Sequence, residues 1–269
     1  MPRLVLPQLS ALAAAATFAF APAVALAVDY SDIYYTPSAP GSGYQVVQSD
    51  NFMFVTFFVY DQNKQATFYT AQLTLDANGN YTGALYRTTG TYFALPYNVA
   101  DSSIAQVGTA SFQPSASNDY QATLTYTVNG AGTVTRAIER QTLTAISLAG
   151  TYTGGQNGMY SGCTNSADNG SYTDTYDTLT VTQSGSTASL QFTYNSGATC
   201  TLSGTLVQNG TLYRITGATY QCSGAFSVNS TANISDLKAT SLGLEGGFVS
   251  NVGGGCTESA VFSAAFNFF

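Results

Sequence analysis

Histidine and tryptophan are both absent from this 269-residue chain, and charge is scarce, with 7 Lys plus Arg against 14 Asp plus Glu. Each absence removes a class of chemistry. Histidine is the usual general base near neutral pH and the commonest metal ligand. Without it neither a Ser-His-Asp nor a Cys-His site can be assembled, and no zinc or iron can be held by imidazole. Two lysines, Lys64 and Lys238, leave a Ser-Lys dyad few options. No Asp-Thr-Gly, Asp-Ser-Gly or Gly-x-Ser-x-Gly run occurs, so the aspartic-protease and hydrolase-elbow signatures are missing. Paired carboxylates leave no fixed spacing, and a carboxylate-based hydrolase is the one enzyme class still standing. The reading is therefore non-enzymatic, with no cofactor and no metal. The basic residues Lys64, Arg87, Arg136, Arg140, Arg214 and Lys238 are scattered, which argues against nucleic acid and anionic lipid as partners.

The N-terminus has the pattern of a secretory signal: Arg3, an apolar stretch from Ala11 to Phe20, then small residues ending in Ala25-Leu26-Ala27. Cleavage is expected to remove residues 1–27 and start the mature chain near Val28. That leaves 6 basic against 14 acidic residues, a formal charge of −8. Later in the chain Phe52–Tyr60 is apolar but too short for a membrane helix, and suits a buried strand. The four cysteines, Cys163, Cys200, Cys222 and Cys256, all fall in the second half at spacings of 37, 22 and 34 residues, which match no zinc motif. An even count in an exported chain implies two disulfides. Cys200 with Cys222 would flank the Asn209-Gly210 turn, and Cys163 with Cys256 would tie the first strand of that half to its last.

What is abundant is strand-forming: 19 Tyr and 16 Phe, with many Thr and Val. Asn-Gly recurs at Asn78, Asn129, Asn157, Asn169 and Asn209, and that dipeptide favours two-residue hairpin turns. Richly β-forming runs lie between them, among them Gln65–Leu75, Tyr81–Thr88, Gln121–Val128, Asp177–Gln183, Ser189–Tyr194, Thr199–Val207 and Thr211–Thr216. No amphipathic helix follows the signal. The expectation is all-β: two antiparallel meander domains, residues 28–146 and 147–269, each a small up-and-down barrel or a sandwich. About seven strands are expected in the first and about eight in the second. A short echo links the halves, Leu85-Tyr-Arg-Thr-Thr-Gly90 with Leu212-Tyr-Arg-Ile-Thr-Gly217, although the order of neighbouring turns does not repeat.

The first half runs Pro40-Gly-Ser-Gly43, Gln48, Phe57-Phe-Val-Tyr-Asp61, Phe68-Tyr69 and Gly83-Ala-Leu-Tyr-Arg-Thr-Thr-Gly90. Over roughly Tyr34–Phe93 it resembles a group of exported proteobacterial proteins of unassigned function that share a Gly-x-Gly…Gln start, an F-x-Y-D hairpin and an L-Y-R-T-T-G strand. Leu148-Ala-Gly-Thr-Tyr-Thr-Gly154 and Tyr160-Ser-Gly-Cys163 in the second half are similar to such proteins too. This chain carries Phe where the group often has Trp. The resemblance implies export and β structure, and transfers no catalytic residue.

Several residues are candidates for a site. Tyr34, Tyr35 and Tyr44, with Pro37 and Pro40, form an aromatic entry segment. It suits protein or glycan recognition, or else is pinned onto its domain by those rings. Arg87 and Arg214 stand mid-strand, as ligand clamps inside a barrel or as outward-facing residues. Asp168, Asp174 and Asp177 form an acidic stretch that reads as a loop rather than a Ca²⁺ site, and Asp76-Ala-Asn78-Gly-Asn80 reads as a hairpin turn. The C-terminal Phe262, Ala264, Phe266 and Phe268 share one face of a last strand. The resulting function is an exported binding or surface module acting on a protein, glycan or small ligand, in the periplasm or outside the cell. The alternatives are an outer-membrane barrel, for which an aromatic C-terminal strand is the argument, and a carrier with a ligand pocket inside a barrel.

Overall fold

Buried and exposed residues alternate along nearly every strand of this computed structural model, which describes residues 28–225, 227–240 and 242–267. The expected signal and its cleavage site lie outside the described residues. Among the described residues sixteen strands form two closed barrels of eight. The first contains β1 (Asp32–Tyr35), β2 (Gly43–Ser49), β3 (Phe52–Tyr60), β4 (Ala66–Leu75), β5 (Tyr81–Thr89), β6 (Ser103–Pro114), β7 (Gln121–Val128) and β8 (Gly132–Arg140). The second contains β9 (Gly150–Ser161), β10 (Gly170–Ser184), β11 (Thr187–Tyr194), β12 (Thr199–Asn209), β13 (Leu212–Ser223), β14 (Val228–Ala239), β15 (Gly243–Gly253) and β16 (Cys256–Phe266). Each strand pairs antiparallel with the next, so both lobes are up-and-down meanders, and the choice between barrel and sandwich falls to the barrel.

The first lobe has one strand more than expected. Its first strand, β1, is only four residues long, and it meets β8 through two residue pairs, Tyr34 with Arg140 and Tyr35 with Glu139. The second barrel closes through ten pairs between β16 and β9. Three of the five Asn-Gly dipeptides, at Asn78, Asn129 and Asn209, sit where hairpins turn. The other two do not: Asn157-Gly158 lies within β9 and Gly170 opens β10. At Gly158 the ring of Tyr172 packs so closely that a Cβ would fall 2.3 Å from its Cζ. The glycine there is a packing requirement across the barrel wall, not a turn.

The inward faces are apolar and filled. Met53, Phe57, Leu73, Leu85, Phe112 and Leu124 occupy the first barrel, and Leu179, Leu190, Phe192, Leu202, Ile215 and Phe262 the second. The aromatic rings meet edge-on, as with Tyr34–Phe112 at 5.6 Å and Phe192–Phe262 at 5.4 Å. Phe262 and Ala264 of the C-terminal series face this interior, and Phe268 lies outside the described residues. Outward positions are largely Thr, Ser and Gln, as along β7 with Gln121, Thr123, Thr125 and Thr127. Disulfides join Cys163 to Cys256 and Cys200 to Cys222, the pairing expected from sequence. Both lie at the end of the second barrel away from the first lobe.

Candidate functional site

At the far end of the first barrel, the connection from β5 to β6 is long and apolar. Gly90–Ser102 exposes Tyr92, Phe93, Leu95, Tyr97 and Val99, with Phe93 at 90% of its full accessibility and Tyr97 and Val99 at 74%. The loop is nonetheless built. Thr91 Oγ1 accepts from Asn98 N at 2.8 Å and lies 3.0 Å from both Asn98 O and Asp101 Oδ2. Asn98 Oδ1 accepts from Ala100 N and opens a 3₁₀ turn at Val99–Asp101. Leu95 N donates to Tyr92 O at 2.9 Å, and Ser102 Oγ to the Tyr97 hydroxyl at 3.2 Å. Beside it on the outer face of β3 and β4 stand the cross-strand pair Phe58 and Phe68, and Tyr60, all exposed. Exposed apolar groups held in one conformation lower the ordering cost of binding.

The far end of the second barrel is the opposite in character. Beneath the two disulfides, Glu258 of β16 is 2% exposed. Its Oε1 accepts from the Tyr172 hydroxyl, which accepts from Gln156 Nε2 at 3.0 Å, while Gln156 Oε1 accepts from the Tyr194 hydroxyl at 2.9 Å. Among the described residues its Oε2 has no hydrogen-bond partner within bonding distance. Burial raises the Glu258 carboxyl above the usual range, against the pull of the hydroxyls of Tyr172, Tyr220 and Tyr160. In turn burial and the Glu258 carboxyl push the Tyr160 hydroxyl up to about 12. Tyr160 and Tyr172 stack at 5.1 Å.

The near ends of the two barrels meet through polar groups. The β12–β13 turn of the second lobe enters the first, where Thr211 donates from N and Oγ1 to Asp32 Oδ2 at 2.9 and 3.0 Å. The same oxygen is 3.1 Å from Arg140 Nη1. Arg140 is 4% exposed and also donates to the carbonyls of Asp119 (2.9 Å) and Asp29 (2.7 Å). Gly210 N donates to Thr142 Oγ1 at 3.0 Å, Lys238 Nζ lies 2.7 Å from Asp29 Oδ2, and the Arg214 guanidinium sits 4.9 Å from the Tyr120 ring centre. Asp236 of β14 lies where that strand slips register against β15, at a φ of 52°.

The residues singled out from sequence do not gather in one place. Tyr34 and Tyr44 are 1% exposed inside the first barrel, and burial raises the Tyr34 hydroxyl well above its ordinary value. These two rings pin the entry segment rather than displaying it. Tyr35 is on the other face of β1, with its hydroxyl on Glu139. Arg87 is exposed near the far end of β5, and Arg214 belongs to the junction rather than a barrel interior. Asp168 ends a 3₁₀ turn, but Asp174 and Asp177 lie on β10, which starts at Gly170, so the expected loop is shorter than read. Among the described residues no group of three or more Asp, Glu or Cys is placed to hold a metal. A Ser-x-x-Lys spacing does occur at Ser235–Lys238. It lies on β14 and its lysine is engaged by Asp29. Arg140, Asp32, Asp236 and the apolar loop were missed. Of these only the loop has a sequence signal, a Pro-containing aromatic run without alternation.

No family model and no curated protein matches the chain. Among solved structures it is similar to the isotype 1 transferrin binding protein B of serogroup B Neisseria meningitidis, with 11% identity and a TM-score of 0.26. The match covers 84% of this chain, which spans 65% of that one.

Proposed function

We propose that the chain is an exported, non-enzymatic binding protein that engages a protein partner through the Gly90–Ser102 loop. The carrying observation is the ordered display of Tyr92, Phe93, Leu95, Tyr97 and Val99 at one barrel end. The mixture of aromatic and aliphatic side chains favours a protein surface over a glycan, which calls for rings framed by polar donors and acceptors. Two disulfides favour an oxidising compartment. Apolar residues line the barrel interiors while Thr, Ser and Gln cover much of the outside, the reverse of a lipid-embedded barrel. Both interiors are occupied by the chain's own side chains, which speaks against a carrier pocket.

The test is photo-crosslinking in the producing cell, with a photoreactive phenylalanine analogue at position 93 or at the outward Gln191 of the other lobe. A discrete protein adduct from position 93, absent from position 191 and lost when Leu95 and Tyr97 become serine, is the expected result. No adduct, or the same adduct from both positions, would overturn the assignment. Cell fractionation gives the compartment: a heat-modifiable band in the outer membrane would refute the reading, and a soluble band would support it.

A further inference from the structure

The first barrel is closed over only part of its height. Strand β8 pairs with β7 at every position from Gly132 to Glu139, but meets β1 only through Tyr34 with Arg140 and Tyr35 with Glu139. The chain leaves that line at Pro37, which has no N–H to continue a ladder, and turns back with Ala39 N donating to Thr36 O at 3.0 Å. Gly132–Ala137 is left as an edge. Backbone groups in an antiparallel ladder alternate between its two sides. Arg140 N donates to Tyr120 O on the β7 side, and Gln141 N to Ile33 O on the β1 side. By that alternation the N–H and C=O groups of Thr133, Thr135 and Ala137 point away from β7, and among the described residues no strand receives them. The side chains of Thr133, Thr135, Arg136 and Ala137 are exposed. Thr36, where β1 gives out, is 1% exposed, and its Oγ1 has no hydrogen-bond partner among the described residues.

We propose that this edge takes up an extended segment of a partner protein as an added strand, in line with β1 and antiparallel to β8, with a carboxylate opposite Arg136. An extended backbone is what offers donors and acceptors at the spacing of an open strand. Val134 and Arg136 share the inward register of the buried Ile138, so alternate side chains of the added strand face them. Val134 pairs with the half-buried Tyr126, and Gly132 with the half-buried Val128. An apolar side chain opposite Val134 extends that cover. Arg136 has no ion-pair partner among the described residues, and Gly132–Ala137 contains no acidic residue, so a carboxylate completes it. A second copy is the poorer occupant. Pairing β8 with β8 sets two arginines on one face with no acid between them. The edge is separate from the Gly90–Ser102 loop, and neither reading depends on the other.

The test is amide hydrogen exchange by NMR on the full chain, with the capped peptide acetyl-Thr-Glu-Thr-Val-Thr-amide as probe. Starting opposite Ala137, it places Glu opposite Arg136 and Val opposite Val134. The expected result alternates: the amides of Thr133, Thr135 and Ala137 gain protection, while those of Val134 and Arg136, already turned to β7, change little. Thr135→Pro removes a donor from the open side alone, a place where a strand tolerates proline, and is expected to abolish the response. Arg136→Glu is expected to weaken binding about fivefold, and a peptide with Lys in place of Glu to restore it. No protection at millimolar peptide, or a response indifferent to both substitutions, would overturn the proposal. So would protection of the same amides that grows with protein concentration in the absence of peptide, which would give the edge to a second copy.

Discussion

Gly210 shows how much one residue position can carry. It sits at φ +63°, and a Cβ there would fall 2.3 Å from Asp32 Oδ2 and 2.7 Å from Arg140 Cβ. The turn therefore serves the hairpin and the lobe junction together. Gly210→Ala adds a strained backbone, at a cost of about 1–3 kcal/mol, to a collision with the buried ion pair. The expected outcome is undocking with both barrels intact, read as faster protease cleavage in the exposed stretch at Thr142–Thr144. Cleavage at the wild-type rate would mean that the turn does not hold the lobes. Glu258 makes the converse case, a buried group at odds with its surroundings. Its folded carboxyl is raised, so the stability tied to it is present at acid pH and lost as pH rises through the raised value. Glu258→Gln keeps an acceptor for Tyr172 and removes the charge. The variant should lose that pH dependence and match or exceed the wild type at pH 8, by up to about 1–3 kcal/mol. A variant clearly less stable at pH 8 would mean that the carboxylate has a favourable counter-charge in solution.

Strands and turns were legible because their signals are local. Alternation and Asn-Gly turns located β4, β5, β7, β11 and β12 with small errors at the ends, while β10 begins seven residues before the run read for it and β13 ends seven residues after. Closure was not legible, since it joins strands a whole lobe apart in sequence and leaves no mark on either. Nor was the junction: Asp32, Asp119, Arg140 and Asp236 are single charges in unremarkable strands and loops, and Gly210 is already explained by its hairpin. Closure has a consequence of its own. The β1–β8 seam has two residue pairs, against ten for β9–β16. Hydrogen exchange should therefore find the β1 amides among the least protected in the first barrel and those of β9 among the best in the second. Equal protection at the two seams would show that β1 is held by the junction rather than by its own ladder. The disulfides differ in the same way. Cys163–Cys256 spans 93 residues and Cys200–Cys222 only 22. On loop entropy, breaking the first should cost about 4–5 kcal/mol and the second about 3. Denaturant unfolding of the two paired-alanine variants measures both.

Over the whole molecule the division of labour follows the chain. Each lobe has its own filled interior, and what joins them is a small set of polar contacts rather than a shared apolar core. All four cysteines pair within the second lobe. Junctions of that kind couple folding weakly. Calorimetry should accordingly resolve two unfolding transitions, and a reductant should lower one of them while leaving the other in place. The transition that does not move belongs to the first lobe. A single transition that shifts as a whole on reduction would mean that the lobes unfold as one unit. In that case the polar junction transmits the stability of the disulfide-bonded barrel into its neighbour, and the far-end loop on the first lobe would owe its order to bonds at the opposite end of the molecule.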